Sequence, residues 1–232
     1  MSYLKQNLLQ INENIAAAAE KSGRRADDIT LVAVTKTIPT DQITEAASLG
    51  VTDFGENRVQ EMLSKYDTVN DVISDAKWHM IGHLQTNKVK NIIDKVSLIH
   101  SVDSVRLANE INKRASQINK IMDILVEINI ADEDTKQGVS VNEAYELIEQ
   151  IGNMTNICLR GLMCVAPYVE DSEQNRRYFN KMNQIFIDIA SKKVHNADMR
   201  FLSMGMTGDY QVAIEEGANI IRVGTGLFGM RI

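Results

Sequence analysis

The stretch Leu31-Val-Ala-Val-Thr35, followed by Lys36, decides the fold. Five apolar or β-branched residues in a row are typical of a strand that is buried on both faces, as in a parallel sheet covered by helices. Pro39 follows shortly afterwards and ends the extended run. Ligands of parallel β/α folds bind at the carboxyl ends of the strands, which is where Lys36 stands.

Two interpretations of Lys36 stay open on this stretch alone. A lysine that is held among apolar residues at a strand end is a good amine nucleophile. The alternative is that Lys36 only extends its charged head from the strand end into solvent. The rest of the chain has to decide between them.

Length and composition predict one globular domain over residues 1–232. The chain has 232 residues, of which 44% are hydrophobic and 24% charged, and this length is normal for a single α/β barrel. The net charge of −6, the 5% aromatic content and the lack of a basic stripe argue against a nucleic-acid surface. Because no apolar run has the length of a membrane span and no signal peptide is recognisable, we expect a cytoplasmic protein without a membrane partner.

The cysteines and histidines predict neither a disulfide nor a metal site. Cys158 and Cys164 lie in one apolar run, and along a strand their separation would be roughly 20 Å, too long for a disulfide. The four histidines show no metal-ligand spacing, and His79 and His83 fit a strand that runs into a loop.

Eight strand-like segments alternate with helical ones along the chain. The predicted strands are 31–35, 51–55, 77–81, 97–100, 122–130, 157–165, 199–203 and 219–223. Alternation of this kind implies a parallel sheet, and eight units in about 230 residues imply closure into a TIM-type (β/α)8 barrel. The alternative is an open, doubly wound sheet.

Helical periodicity begins before the first strand, in residues 4–19, so this helix is extra at the N-terminus. We expect it to take the place of the missing outer helix after strand eight. Helix N-caps are predicted at polar residues of the types that favour this position, with Glu143 completing a capping box: Thr40, Thr86, Asp103, Ser140 and Thr207.

The carboxyl ends of all strands in a barrel open onto one face. The ends of strands seven and eight are the most specific here, because barrels often bind phosphate with those two loops. One loop is Ser203-Met-Gly-Met-Thr207, and the other is Gly224-Thr-Gly226, which could start a last helical turn. Glycines let backbone N–H groups approach a phosphate. The alternative is two ordinary turns.

The spacing of Gly224, Gly226 and Gly229 also matches G-x-G-x-x-G. A dinucleotide site needs a full helix after this motif and an acidic residue about 20 positions further on. Only three residues follow Gly229. We therefore reject a dinucleotide site.

Arg222 lies inside an apolar strand, and alternation places it on the same face as Gly224. A guanidinium inside a barrel needs a partner. Glu127 on strand five is one candidate, and the pyridine nitrogen of a phosphate-bearing ring is the other. A lysine, a phosphate cup and a buried arginine together describe a pyridoxal-phosphate site.

The sequence closely resembles the pyridoxal-phosphate homeostasis protein family. The barrel of that family is similar to the N-terminal domain of alanine racemases, which has the type III fold of pyridoxal-phosphate proteins. The small departures are Met80 and Thr207, where phenylalanine and serine are more usual. The matching stretches are Leu31-Val-Ala-Val-Thr-Lys-Thr37, Phe54-Gly-Glu-Asn-Arg-Val-Gln-Glu61, Trp78-His-Met-Ile-Gly-His-Leu-Gln-Thr-Asn-Lys88, Arg160-Gly-Leu-Met163, Leu202-Ser-Met-Gly-Met-Thr-Gly-Asp209 and Val223-Gly-Thr-Gly-Leu-Phe-Gly229.

The resemblance implies that Lys36 forms the internal aldimine with pyridoxal 5'-phosphate and that Arg222 faces the ring nitrogen. It implies seven cofactor-binding residues and no catalytic residue: Lys36, Asn57, Ser203, Met204, Arg222, Gly224 and Thr225. Of these, Ser203, Gly224 and Thr225 are implied to hold the phosphate. The implied role is a monomer that buffers and delivers the cofactor in vitamin B6 and amino-acid homeostasis, with pyridoxal-phosphate-dependent apoenzymes as candidate recipients.

Two enzymatic alternatives fit the sequence less well. A racemase needs an acid/base group on each face of the substrate, whereas the lysine serves one face. In alanine racemases the second group is a tyrosine of the partner subunit and a further β domain follows, but this chain ends at Ile232. Arginine at the ring nitrogen also leaves the ring a poorer electron sink. A lysine on strand one and an arginine on strand eight fit a Schiff-base aldolase poorly. Colour would separate the two, because an aldolase is colourless whereas a pyridoxal aldimine is yellow.

Overall fold

Eight parallel strands close into a barrel, because each strand pairs with the next and the last pairs with the first. We describe it from a computed structural model, in which residues 2–133 and 136–229 are described. The strands are β1 (Thr30–Val34), β2 (Asp53–Glu56), β3 (Lys77–Met80), β4 (Val96–Val102), β5 (Met122–Glu127), β6 (Ile157–Met163), β7 (Ala197–Met206) and β8 (Ile220–Val223). The predicted TIM-type barrel is confirmed, and the open sheet is wrong.

Helices cover the outside of the barrel. In the described part of the chain, the α-helices are α1 (Tyr3–Lys21), α2 (Thr40–Ser48), α3 (Val59–Asn70), α4 (Val105–Gln117), α5 (Val141–Ile151), α6 (Arg176–Ser191), α7 (Tyr210–Glu215) and α8 (Thr225–Phe228). Short 3₁₀ helices span Ala26–Asp28, Thr86–Asn91 and Ser172–Asn175. Between β3 and β4 the connection is therefore a 3₁₀ segment.

The extra helix α1 packs beside the two ends of the β/α series, as its apolar periodicity predicted. Its Asn14 donates a hydrogen bond to the hydroxyl of Tyr210 at 2.9 Å, and its Asn7 donates to the carbonyl of Leu227 at 2.9 Å. Lys21 forms an ion pair with Glu215 at 2.8 Å. Because α8 has only four residues, α1 covers the barrel surface that a longer helix after β8 would occupy.

Two predicted strands end earlier than the apolar pattern suggested. β5 stops at Glu127 and β6 at Met163, although Ile128 and Ile130 continue the apolar run and are buried. Beyond these ends, the Ile128 N–H still donates to the Met163 carbonyl at 2.8 Å, and an isolated bridge pairs Ile128 with Val139. Burial persists after the ladder ends, so an apolar run alone overestimates the length of a strand.

The helix starts are partly as predicted. Ser140 caps α5 in the expected capping box, with the Glu143 N–H donating to the Ser140 hydroxyl at 3.3 Å. The predicted cap at Asp103 is wrong, because the neighbouring Ser104 accepts the hydrogen bond from the α4 backbone. Thr40 is the first residue of α2 rather than its cap.

The remaining two predicted caps are also displaced. Thr86 is the first residue of its 3₁₀ helix, and Gln85 stands at the cap position. Thr207 lies ahead of α7, whose cap position is occupied by Asp209. The Thr207 hydroxyl is used elsewhere, in the site described below.

The apolar core forms two layers of unequal size. The large layer lies between the barrel and its helices. The small layer is inside the barrel and consists of Val32, Leu98, Leu125, Met163 and Ile220. Bulky branched residues usually fill such an interior, but here buried polar side chains share it: Asp53, His79, His100, Ser203 and Arg222.

The cysteines are free thiols, as predicted. Burial raises the pKa of the Cys164 thiol to about 12, so this side chain is inert near neutral pH. Among residues 2–133 and 136–229, no group of three or more His, Cys, Asp or Glu side chains is arranged to hold a metal ion. No helix within those ranges is both long enough and apolar enough to cross a bilayer.

Candidate functional site

The predicted site residues all lie toward the carboxyl-terminal end of the barrel strands, and four strands contribute. Lys36 and Asn57 follow β1 and β2, Ser203 and Met204 lie within β7, Arg222 is in β8, Gly224 follows β8, and Thr225 begins α8. β8 lies beside β1, with Val32 opposite Arg222 in the register. The topology therefore brings the lysine strand next to the arginine strand.

The amine of Lys36 is available to a ligand. The residue is half-buried, and among the described residues its Nζ makes no hydrogen bond and no ion pair within 4 Å. The next residue, Thr37, has φ +64°, a left-handed conformation that costs energy for a residue with a branched Cβ. Such a conformation persists only where the surrounding contacts hold it.

A buried cluster of charges holds the backbone on both sides of Lys36. Lys65 of α3 donates to the carbonyl of Thr35 at 2.7 Å, and Glu61 accepts from the backbone N–H of Thr37. These contacts fix the residues before and after Lys36. We call Lys65, Glu61 and Glu56 the clamp.

The members of the clamp also bind one another. Lys65 lies 2.7 Å from Glu56 Oε1 and 2.8 Å from Glu61 Oε1. Glu56 is fully buried, and its Oε1 also accepts from the Thr35 hydroxyl at 2.7 Å. Burial raises the pKa of Glu56 in spite of the Lys65 and Thr35 contacts, and its Oε2 has no hydrogen-bond partner among the described residues.

The sequence analysis missed the clamp. Glu61 and Lys65 have the i,i+4 spacing of a helical ion pair, which was the available signal. That spacing usually marks a solvent-exposed pair of little energetic value. Only the fold shows that Lys65 is buried and reaches β1.

Asn57 is held close to the end of β3. A Cβ atom added to Gly82 would lie 2.6 Å from the carbonyl oxygen and 2.8 Å from the Cα of Asn57. The Ser101 hydroxyl fixes the same segment by donating to the Gly82 carbonyl at 2.6 Å. A glycine is therefore required at position 82, just after β3, where the chain passes Asn57.

Thr207 joins the two predicted phosphate loops instead of capping α7. Its Oγ1 accepts from the backbone N–H of Gly226 at 3.2 Å and lies 3.3 Å from the Thr225 hydroxyl. Gly224 occupies the N-cap position of the last helical turn. The β7 and β8 loops thus form one cradle with backbone N–H groups at its β8 side.

Replacing Gly224 with valine should weaken retention of a phosphate-bearing ligand about tenfold or more. An added Cβ would lie 3.3 Å from Val34 Cβ, and a branched side chain would push the backbone of the cradle away from the phosphate. The measurement is equilibrium binding of pyridoxal phosphate to folded protein.

The matched control is Gly208→Val in the β7 loop, where an added Cβ meets nothing within 4 Å. This control should retain the affinity of the unchanged protein. Equal affinities in both variants would move the phosphate away from Gly224.

Arg222 is buried inside the barrel, where two acceptors of the described chain bind its guanidinium. Its Nη1 donates to the Ser203 hydroxyl and its Nη2 donates to the Cys164 carbonyl at 2.8 Å. The sequence analysis offered Glu127 as a protein partner, but the two side chains form no ion pair within 4 Å in the described part of the chain. Glu127 acts on Arg222 through its charge at longer range, not as a hydrogen-bonded partner in the described part of the chain.

Burial shifts the pKa values of two charged side chains inside the barrel mouth, Arg222 and Glu127. Burial lowers the pKa of Arg222, although an arginine stays protonated in proteins. Burial also raises the pKa of Glu127 to about 7, an effect that the nearby Arg222 charge opposes and that of Asp103 adds to. The N–H donors of Arg222 that bind neither Ser203 nor Cys164 are left for an anionic or basic atom of a ligand.

Ser203 and Met204 face opposite sides of the β7 ladder. The Ser203 hydroxyl is inside the barrel with Arg222, whereas the Met204 side chain is buried in the outer apolar layer. Met204 could therefore contact a ligand in the barrel mouth through its backbone only.

A chain of buried polar side chains leads away from Ser203. Its hydroxyl lies 3.0 Å from His100 Nδ1, His100 Nε2 lies 2.9 Å from His79 Nδ1, and His79 Nε2 lies 3.0 Å from Asp53 Oδ1. Sequence analysis placed His79 near a strand end and did not single out His100 or Asp53. Strand alternation on β3 and β4 was the signal that could have placed both histidines inside the barrel.

The residues at the barrel mouth fit a ring that carries an aldehyde and a phosphate. Lys36 offers a free amine, Arg222 offers charged donors, and Gly224 lets the cradle backbone lie against β1, since an added Cβ would be 3.3 Å from Val34 Cβ. This chemistry is the one that the sequence predicted for pyridoxal phosphate.

Known proteins that are similar to this chain include pyridoxal phosphate homeostasis proteins. The model of the family described as alanine racemase, N-terminal domain, matches residues 6–232. A pyridoxal phosphate homeostasis protein of Aquifex aeolicus is 43% identical over 97% of both chains. That of Escherichia coli strain K12 is 35% identical over 100% of this chain and 98% of the relative.

A solved structure with bound ligand is also similar. PipY of Synechococcus elongatus with pyridoxal phosphate bound superposes with a TM-score of 0.81 and 30% sequence identity. The match covers 93% of this chain and all of PipY.

Proposed function

Since this chain belongs to the pyridoxal phosphate homeostasis protein family, we propose that it binds pyridoxal 5'-phosphate covalently at Lys36, and that it buffers the cofactor and delivers it to apoenzymes. The observation that carries the proposal is the Lys36 amine, which has no partner among the described residues and stands on the strand beside Arg222. The cofactor found in the PipY structure supports it.

Different residues of the barrel mouth would bind different parts of the cofactor. Lys36 Nζ would attach to its aldehyde with loss of one water, and the backbone around Gly224 and Thr225 would bind its phosphate. Arg222 would donate to its ring nitrogen. Bound in this way, the cofactor would supply a carbon that can exchange the Lys36 amine for another amine and a ring that withdraws electrons.

Arg222 would weaken the electron withdrawal by the ring. Its guanidinium stays protonated, so the ring nitrogen can remain an unprotonated acceptor and the ring withdraws electrons weakly. Weaker electron withdrawal slows the removal of an α-proton from an amino acid, although enzymes that use this cofactor also place arginine at the ring nitrogen. This property supports a carrier, while the alanine racemase family model keeps a racemase as the alternative.

Incubation of loaded protein with L-alanine in deuterium oxide separates the carrier from the racemase. The carrier predicts no D-alanine beyond the protein concentration. Slow deuterium incorporation with retention is consistent with a carrier, because Lys36 alone can return a proton to one face. Lys36-dependent D-alanine at many turnovers per protein would restore the racemase.

Delivery needs its own measurement. Loaded protein is mixed with a pyridoxal-phosphate-dependent apoenzyme, and recovery of enzyme activity is followed. We expect activation faster than the cofactor's spontaneous release into a scavenger. Activation at the release rate would reduce the role to buffering. The monomeric state and the cytoplasmic location remain predictions.

A further inference from the structure

The buried hydrogen bonds that link Ser203, His100, His79 and Asp53 all run from donor to acceptor in one direction, which Asp53 sets. The pKa of Asp53 is raised by burial but is held below its usual range by hydrogen bonds from His79 and Thr52 and by nearby Lys77. An ionised carboxylate only accepts hydrogen bonds. His79 must therefore donate through Nε2.

The direction passes from ring to ring. A neutral His79 that is protonated on Nε2 accepts at Nδ1, so His100 donates to it through Nε2. His100 is fully buried, and burial together with the Arg222 charge lowers its pKa well below the usual range. A neutral His100 then accepts at Nδ1, and Ser203 donates to it.

The Ser203 hydroxyl therefore donates its hydrogen to His100, and its lone pairs point toward Arg222. It accepts from Arg222 Nη1, while the Cys164 carbonyl accepts from Nη2. Two acceptors in fixed positions determine the plane of a guanidinium. The chain thus ends by orienting Arg222.

The cost of this arrangement indicates that it has a use. Burying polar groups is unfavourable unless each is paired, and Val or Leu would fill a barrel interior without that requirement. Asp53, His79, His100 and Ser203 are all buried and all paired in one continuous network. Removal of one link leaves its neighbours unpaired.

We propose that Asp53, His79 and His100 are positioning residues that act through Ser203 to orient the Arg222 guanidinium toward the ring nitrogen of bound pyridoxal phosphate. This inference rests on the proposed function for the cofactor contact, but not for the direction of the chain. None of the three residues needs to touch the cofactor.

The direction is tested on the protein without cofactor by nitrogen-15 NMR of the histidine side chains. His79 and His100 should both be neutral and protonated on Nε2 at neutral pH. Protonation of His79 on both nitrogens, or of His100 on Nδ1, would reverse the Ser203 hydroxyl and overturn the proposal.

Asp53→Asn tests what imposes the direction. An amide can donate as well as accept, so the single tautomer should become a mixture in both rings. An unchanged single tautomer in this variant would show that the carboxylate does not set the chain, and would overturn its assigned role.

The effect on Arg222 is tested with pyridoxal phosphate. His100→Leu removes both links and should weaken cofactor binding about tenfold, while shifting the pH at which the bound cofactor changes its visible absorbance. His100→Asn offers an oxygen near the position of Nδ1, so it should restore most of the affinity and the absorbance profile.

The matched control is His195→Gln, because His195 bonds to the Gly152 carbonyl outside the barrel. It should leave both cofactor measurements unchanged. A folded His100→Leu protein with unchanged affinity and absorbance would overturn the proposal. Failure of the unchanged protein to bind pyridoxal phosphate would instead reject the proposed function and leave the NMR result standing.

Discussion

Replacing Lys36 with alanine should abolish the yellow colour of protein reconstituted with pyridoxal phosphate and should prevent any covalent label after borohydride reduction. Lys36 supplies the only bond to the aldehyde in the proposed arrangement, whereas Arg222 and the Gly224 cradle bind other parts of the cofactor. Some noncovalent affinity should therefore remain. Visible absorption and mass spectrometry of the reduced protein measure the two effects, and the expected loss of label is complete.

Lysines on the 3₁₀ segment after β3 provide the controls. Lys88→Ala and Lys90→Ala should keep both the colour and one label per chain, because these residues lie between Thr86 and Asn91. A pyridoxyl group located on Lys88 or Lys90 of the unchanged protein would overturn the assignment of Lys36.

Replacing Lys65 with methionine should lower the free energy of unfolding by about 3–5 kcal/mol, because it leaves a buried carboxylate without its counter-charge. Glu56 and Glu61 would then face each other, and the backbone beside Lys36 would lose a hydrogen bond. Urea unfolding measures the loss. Reduced labelling of Lys36 in folded variant protein would report the loosened loop.

The Lys65→Met protein should also depend on pH in a defined direction. The pKa of Glu56 is already raised by burial, so the folded state binds this proton more tightly than the unfolded state. Acid therefore stabilises the variant, and its deficit should shrink as the pH falls toward the pKa of the unfolded carboxyl. Glu56→Gln added to Lys65→Met should recover part of the loss at neutral pH.

Lys192→Met is the matched control, since Lys192 forms an exposed i,i+4 pair with Asp188. Such a pair contributes at most about 1 kcal/mol. A loss of that size in Lys65→Met as well would mean that the clamp is not the buried network described above.

The sequence predicted the parts of the molecule that depend on local pattern. Alternating apolar strands and helices were enough for the barrel, because a parallel sheet of eight such units closes. Lys36, Gly224 and Arg222 were recognisable because each breaks the pattern of a strand or follows its end. Their positions at the barrel mouth follow from the strand that carries them.

Contacts between distant elements were not predictable in this way. Lys65 is on α3, yet its amine reaches the carbonyl of Thr35 on the other side of β2. His79 and His100 are single polar residues on paired strands, and the register, which includes an irregularity after Trp78, decides that His79 Nδ1 and His100 Nε2 lie 2.9 Å apart. Even a helix cap was predicted at the wrong residue where two residues that favour capping are adjacent, as at Asp103 and Ser104.

The closure of the barrel has a consequence for synthesis of the protein. Lys36 follows the first strand and Arg222 lies in the last, and these two strands are hydrogen-bonded neighbours. During translation, almost the whole described chain separates their appearance from the ribosome. In a nascent chain that still lacks β8, β1 pairs with β2 alone, and the chain cannot present both groups to one ligand. Cofactor loading through both residues must therefore wait until β8 has been synthesised and has paired with β1.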